Sequence, residues 1–243
     1  MIPLPSIQLK RGQITDLTYT DFVEVTYSQT FSETQAVGTF EEMEQRLFEM
    51  AKKESVEHVR VNYSAAWEKF DAFLDKQAFV PALYHVQMTD YPPGSFVRSL
   101  QEISDIRTVR TLLDQQQLLH HTYNSDFFQD AAHFDADAYL ADIQHSIDTD
   151  QGASYGFFDG SSLVGFIAVE IQDTALNIVE LYVDPTFRGK SVGRMLMQAA
   201  FHFARLKNCI SVTTSLAVQN TGGLNFYEKL GFSVEWKTRY KNV

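Results

Sequence analysis

The chain has 243 residues, 44% of them hydrophobic and 21% charged, which supplies a packed core for one large domain or two small ones. Its formal net charge of -11 argues against general binding to a phosphate backbone, which runs on clustered Lys and Arg, so nucleic acid is not an expected partner. The opening residues lack the charged start and apolar run of a secretory signal, and no segment approaches the length needed to span a bilayer; the expectation is a cytoplasmic protein without a membrane partner.

In chain order, alternation through Phe22, Val23, Val25 and Tyr27 predicts a strand within 18–32, and apolar groups at Met43, Leu47, Phe48 and Ala51 predict a helix over 41–54. A strand at 56–63, a helix at 65–76 and a strand at 79–88 follow. Asp90-Tyr91-Pro92-Pro93-Gly94 interrupts regular pairing of either kind and sets a domain boundary near residue 93. The second half opens with a strand at 96–100, then Ser104-Asp105 as a cap before a helix over 106–121, a loop over 122–135 and a helix over 136–147. A hairpin around Asp159-Gly160-Ser161, a strand at 175–183, a helix at 192–206, a strand at 210–216, a helix at 222–230 and a strand at 232–240 complete the order βααβββαβαβ. Cys209, the single cysteine, excludes an intramolecular disulfide and a thiolate metal cluster within one chain; at the entry to an apolar strand it reads as core, and no metal is expected.

The halves echo one another. Phe73-Leu74-Asp75-Lys76-Gln77-Ala78-Phe79 aligns with Phe226-Tyr227-Glu228-Lys229-Leu230-Gly231-Phe232, and Val59 matches Val212 at the same offset. Thr39-Phe40 resembles Thr186-Phe187, but the first copy continues with Glu41-Glu42-Met43 where the second has Arg188-Gly189-Lys190. Carboxylates at a helix start would repel a phosphate, so residues 1–93 read as a degenerate half-copy serving as scaffold.

Strand 175–183 runs through Asp184-Pro185-Thr186-Phe187 into Arg188-Gly189-Lys190-Ser191-Val192-Gly193-Arg194 and a helix. Glycines let main chain approach a ligand, and the unpaired N–H groups of a helix's first turn point outward at the positive end of its dipole. Arg188, Lys190 and Arg194 add three positive charges in an acidic chain, which suits a diphosphate. Gly189-Lys190-Ser191 is no nucleoside-triphosphate loop, because that motif needs a glycine where this chain has Asp184. A bland reading, a glycine-shaped turn with solvated bases, competes for any isolated turn of this kind.

Residues 96–243 resemble the GNAT superfamily of acyl-coenzyme A N-acyltransferases, whose Arg/Gln-x-x-Gly-x-Gly/Ala motif follows a strand. The last glycine matches Gly193; Ser191 stands at the usual central glycine, a tolerable substitution unless that residue needs φ > 0. A second signature, Asn-x-x-Ala-x-x-x-Tyr-x-Lys-x-Gly-Phe, is matched by Asn220, Tyr227, Lys229, Gly231 and Phe232, with Gly223 at the alanine. The resemblance implies an α/β (α+β) fold with a mixed twisted sheet flanked by helices in 94–243, preceded by the degenerate half-GNAT in 1–93.

It implies acetyl-coenzyme A as cosubstrate, held by Leu181, Tyr182 and Val183 of the strand, by Arg188, Gly189, Lys190, Ser191, Val192, Gly193 and Arg194 of the turn, and by Asn220. Direct transfer to a primary amine follows, with main-chain groups of Leu181 and Val183 at the thioester carbonyl and Tyr227 as general acid. Glu180 on the central strand, Glu170 on the preceding one, His120 and His121 near a helix end, and a water chain are all open as proton acceptors; alternation puts Glu180 on the face opposite Leu181, and it is carried beside Tyr227 as the catalytic candidate. The family's acceptor pocket maps to 117–139, with His121, Tyr123, Asp126, Phe127 and Phe128. The layout faintly resembles sugar-nucleotide amine acetyltransferases related to dTDP-fucosamine acetyltransferase, making an amino sugar nucleotide one acceptor among small amines. A protein or peptide amine, a silent acyl-coenzyme A-binding regulatory module and a nucleotide-sugar binder are the alternatives, and a homodimer is open.

Overall fold

A computed structural model describes residues 5–10, 22–28, 30–56, 58–95, 97, 99–123 and 135–243. Strand β1 (Ser6–Lys10), which the sequence pattern does not announce, pairs antiparallel with β2 (Phe22–Thr26) at one edge of the sheet. Helix α1 (Glu33–Lys53) begins well before the expected residue 41, because Ser32 and Gln35 form a reciprocal capping box: the Ser32 N–H donates to Gln35 Oε1 at 2.9 Å and the Gln35 N–H to Ser32 Oγ at 3.3 Å. Glu41 and Glu42 therefore lie inside α1 and not at its start, and Thr39-Phe40 is helical where Thr186-Phe187 lies in a short 3-10 turn. The expected correspondence between those two dipeptides is corrected accordingly.

Strand β3 (His58–Ser64), α2 (Glu68–Lys76) and β4 (Val80–Met88) complete the first half. The second contains β5 (Leu100–Glu102), α3 (Arg110–Tyr123), α4 (Ala136–Asp148), β6 (Gly152–Asp159), β7 (Ser162–Gln172), β8 (Ala175–Val183), α5 (Val192–Leu206), β9 (Ser211–Ala217), α6 (Thr221–Glu228) and β10 (Ser233–Asn242). This is the βααβββαβαβ order the sequence predicts, on a mixed sheet flanked by helices.

The ten strands of the described residues share one sheet, ordered β1-β2-β3-β10-β4-β9-β8-β7-β6-β5. Six consecutive strands, from β2 to β8 in that order, are symmetric under exchange of β2 with β8, β3 with β9 and β4 with β10: β2 and β3 are parallel, as are β8 and β9, while β10 and β4 run antiparallel at the middle of the six. The last strand of each half is thus inserted into the other, β10 between β3 and β4, and β4 between β10 and β9.

The segment between the halves is packed. Tyr91 stacks on Phe201 of α5 with ring centroids 5.8 Å apart, its hydroxyl donates to the Cys209 carbonyl, and Arg205 Nη2 donates to the Tyr91 carbonyl at 2.7 Å. Gly94, at φ +71°, presses so closely on α5 that a Cβ there would lie 2.2 Å from the main-chain nitrogen of His202. Cys209 is buried in this core, as its apolar setting predicts.

One face of the sheet packs on α5, through Leu176, Ile178, Leu196, Ala200 and Val212; the other packs on α3 and α4, through Leu113, Leu140, Phe166, Ala168 and Tyr182. A third core, with Phe40, Leu47, Val61, Phe70 and Leu74, joins α1 and α2 to β2 and β3. Arg239 of β10 is locked into that half: Nε donates to Asp71 at 2.7 Å and Nη1 to Asp75 at 2.5 Å and to the Phe79 carbonyl at 2.8 Å.

Candidate active site

The cleft starts where the sheet forks. Strands β8 and β9 pair at only three positions, Ala175 with Ser211, Leu176 with Val212 and Asn177 with Thr213, and then part. Thr214 Oγ1 donates to the Ile178 carbonyl at 3.0 Å at the crotch of the fork. A cleft of about 1130 Å³ opens beyond it, walled by β8, β9, the start of α5, α6 and the end of α3.

The fork leaves main-chain groups of β8 unpaired on that side. The Asp184 N–H donates across to the Val164 carbonyl on β7, whereas the Val183 carbonyl turns away and accepts from Arg188 Nε at 3.0 Å. Main-chain groups alternate edges along a strand, so Leu181 and Val183 both present theirs to the gap. Tyr182 instead pairs with Phe166 and offers the cleft only its ring, with the hydroxyl donating to Gln115 Oε1 at 3.2 Å.

A β-bulge decides where Glu180 points. Ala168 pairs with Glu180 and Val169 with Ile178, so Val179 is the extra residue, and side chains after it face the opposite way from plain alternation with Leu176 and Ile178. Glu180 is thereby turned from the α5 face to the α3–α4 face. There it is 3% exposed, accepts from the Tyr139 hydroxyl at 2.6 Å and accepts from Gln116 Nε2. Burial pushes its carboxyl up to about 7, against the lowering effect of those two donors.

Tyr227 lies on α6 across the fork, buried, with its ring edge-on to Phe226 and Phe232. Burial raises its phenol above the ordinary value; a hydrogen bond with Thr214 works against this and the charge of Glu180 adds to it. The hydroxyl is therefore fully protonated near neutrality.

Helix α5 begins at the cradle the sequence singles out. Gly189 has φ +77°, and Ser191, the N-cap, has φ +67° with no side-chain cap bond. The first-turn N–H groups of Val192, Gly193 and Arg194 have no preceding helical carbonyls to bond, and they open on the cleft. A Cβ at Gly193 would meet the Phe226 ring at 3.3 Å, a tight contact to which the ring would have to yield by a few tenths of an ångström. Arg188 and Arg194 line the cleft; Lys190 does not, its ammonium lying 4.6 Å from the centre of the Phe187 ring. Asn220 lines the cleft and caps α6, its Oδ1 accepting from the Gly223 N–H at 2.9 Å.

Of the expected acceptor residues, Tyr123 reaches the cleft, His121 does not line it, and Asp126, Phe127 and Phe128 lie outside the described residues. His120 takes the place beside Tyr123, its ring held neutral because burial pushes it down to about 4. Glu170 lines the same face and accepts from Gln172 Nε2 at 2.7 Å. Sequence reasoning passed over Gln116, Tyr139, Ser215 and His85. The last was legible as a polar residue inside the apolar strand at 79–88.

The fold, a forked mixed sheet with a bulged strand leading into α5, is similar to that of the GCN5-related N-acetyltransferase from Sphaerobacter thermophilus, with a TM-score of 0.59 over 91% of this chain and 73% of that one at 14% identity. Residues 116–232 match the "Acetyltransferase (GNAT) family", and this stretch is a GNAT-family acetyltransferase domain. The spermidine N(1)-acetyltransferase of Thermoplasma acidophilum is 32% identical over 80 residues, 33% of this chain and 50% of that protein. The peptidyl-lysine N-acetyltransferase YjaB of Salmonella typhimurium is 31% identical over 85 residues, 35% of this chain and 52% of that protein. The chain thus spans about half the length of each of these relatives. Among the described residues no helix is long and apolar enough to cross a membrane.

Proposed function

We propose that the protein is an N-acetyltransferase that moves an acetyl group from acetyl-coenzyme A directly to a primary amine of a small cationic molecule. The observation that carries this reading is the fork of β8 and β9, with unpaired main chain on one wall, Glu180 on one face and Tyr227 on the other. Acetyl-coenzyme A supplies the activated acetyl group and a thiolate leaving group. The α5 start, with Gly189, Ser191, Val192, Gly193, Arg188 and Arg194, is electrically and sterically suited to its diphosphate; Lys190 adds charge from the rim. N–H groups of Leu181 and Val183 donate to the developing oxyanion, a role worth about 3 kcal/mol per donor. Glu180, poised near pH 7, takes the proton of the incoming ammonium, and Tyr227 returns a proton to the thiolate.

The α3–α4 face of the cleft carries the carboxylates Glu170 and Glu180, while the Lys and Arg among the described lining residues, Arg188, Arg194 and Lys229, belong to the α5 and α6 walls. That division favours a cationic acceptor over an amino sugar nucleotide, and the spermidine-acetylating relative is in keeping with it. Residues 94–243 would then be the transferase unit and residues 1–93 a scaffold that also lends β4 to the acceptor wall. Cytoplasmic location and a homodimer belong to the same proposal.

The test is calorimetric titration with acetyl-coenzyme A together with steady-state acetylation of amines by wild type and Tyr227→Phe. Micromolar binding by both, with kcat lowered about a hundredfold in the variant, is the expected result. Binding without turnover of any amine by the wild type would favour a silent acyl-coenzyme A-binding module.

A further inference from the structure

Five strands carry a continuous polar ladder on the face that holds Glu180. It runs from Thr26 on β2 through Asn62 on β3, Thr238 on β10 and His85 on β4 to Ser215 on β9. Thr26 is opposite Asn62, Asn62 opposite Thr238 and His85 opposite Ser215, so strand register builds three of the four links, while Thr238 stands opposite Leu83 and meets His85 on the diagonal. Ser215 and His85 line the cleft; Thr238, Asn62 and Thr26 lie outside it.

The donors in this ladder run one way. Asn62 Nδ2 donates to Thr26 Oγ1 at 3.2 Å, so its Oδ1 is the end that accepts the Thr238 hydroxyl proton at 2.5 Å. Thr238 has spent its only proton, and at 2.6 Å from His85 Nε2 its oxygen must accept from an Nε2–H. A neutral imidazole with Nε2 protonated leaves Nδ1 as an acceptor, and the partner at 2.6 Å is the Ser215 hydroxyl. With the ring neutral, Ser215 gives its proton inward and keeps its oxygen lone pairs for the cleft.

We propose that Ser215, oriented by His85 from the first half of the chain, is a specificity residue that accepts a hydrogen bond from a second donor group of the amine substrate, so that diamines are preferred to monoamines. This rests on the transferase reading above. Ser215 is exposed on the cleft floor, beside a face whose charged groups are carboxylates, and a second ammonium is the donor those surroundings favour. His85 acts through Ser215 and is a positioning residue, as is Thr238 one step further.

The first experiment is nitrogen NMR of the histidine rings in the full-length protein, with His85 assigned by difference from His85→Gln. A neutral ring protonated at Nε2 is expected; protonation at Nδ1 overturns the proposal. The second measures acetylation of putrescine and butylamine by wild type, Ser215→Ala, His85→Gln and the double variant. KM for putrescine should rise about tenfold in each single variant and no further in the double, with KM for butylamine and acetyl-coenzyme A binding unchanged. Equal changes for both amines, additive effects, or no acetylation of putrescine by a wild type that binds acetyl-coenzyme A overturn it. Absence of acetyl-coenzyme A binding overturns the transferase reading instead, and the ring tautomer still decides the ladder. Thr238→Val, at a residue that does not itself line the cleft, keeps the test open if His85→Gln folds poorly: it should shift KM for putrescine in the same direction, and an unchanged KM counts against the proposal.

Discussion

Ser191 stands in the left-handed region at φ +67°, where a Cβ costs roughly 1–2 kcal/mol and glycine nothing comparable. Its hydroxyl makes no cap bond that would offset the strain. Ser191→Gly should therefore stabilise the protein by about 1 kcal/mol, after allowing for the extra freedom of glycine in the unfolded chain, and should leave or improve acetyl-coenzyme A affinity. Urea unfolding and calorimetry check both; a destabilised variant would mean that the hydroxyl is used. Glu180 makes a second prediction. Its folded carboxyl binds a proton more tightly than the unfolded one, at about 7 against an ordinary 4.5. Its share of stability is fully present below the lower value and is lost as pH rises through the higher one, about 3 kcal/mol in all. Between pH 5 and pH 8 the urea midpoint should fall in the wild type, and this part of the slope should vanish in Glu180→Gln together with the limb of the rate profile near pH 7. The cradle and Tyr227 were legible because glycine spacing and an Asn-to-Phe signature mark them in one dimension. The surroundings of Glu180 were not, because Gln116 and Tyr139 reach it from helices far away in sequence and a bulge sets its direction.

Most helix and strand boundaries in the second half followed closely from periodicity: the strand at 175–183 coincides with β8 and the helix at 192–206 with α5, whereas the strand expected at 96–100 meets β5 only at Leu100. The early start of α1 escaped because its first turns, with Ala36 and Phe40 as the buried positions, offer too few apolar residues for a period, while the Ser32–Gln35 box is a local signal readable only once looked for. The Pro-Pro-Gly segment reads as a domain boundary in sequence and is tightly packed in space. Gly94→Ala would drive a methyl group into the backbone of α5 at a residue already in the left-handed region. A loss of about 3 kcal/mol or more is expected, visible as a lower midpoint in thermal or urea unfolding; a neutral substitution would show that the joint yields.

At the scale of the whole molecule, the exchange of β4 and β10 means that a cut at residue 93 does not yield two finished bodies. Removing residues 1–93 takes β4 from between β9 and β10 and leaves β10 without either neighbour, and Arg239 without Asp71 and Asp75. The 94–243 fragment should be aggregated or unfolded by size-exclusion chromatography and circular dichroism, and mixing it with a 1–93 fragment should restore binding of acetyl-coenzyme A. A soluble, cofactor-binding 94–243 fragment would make the first half dispensable. The strand order also sets a timetable for biosynthesis. Strand β4 leaves the ribosome more than a hundred residues before β9 and β10, its only neighbours in the sheet, so one of its edges stays bare until β9 is made and the other until β10 follows. The chain should collapse late and all at once, with nascent β4 the segment that a chaperone must shelter.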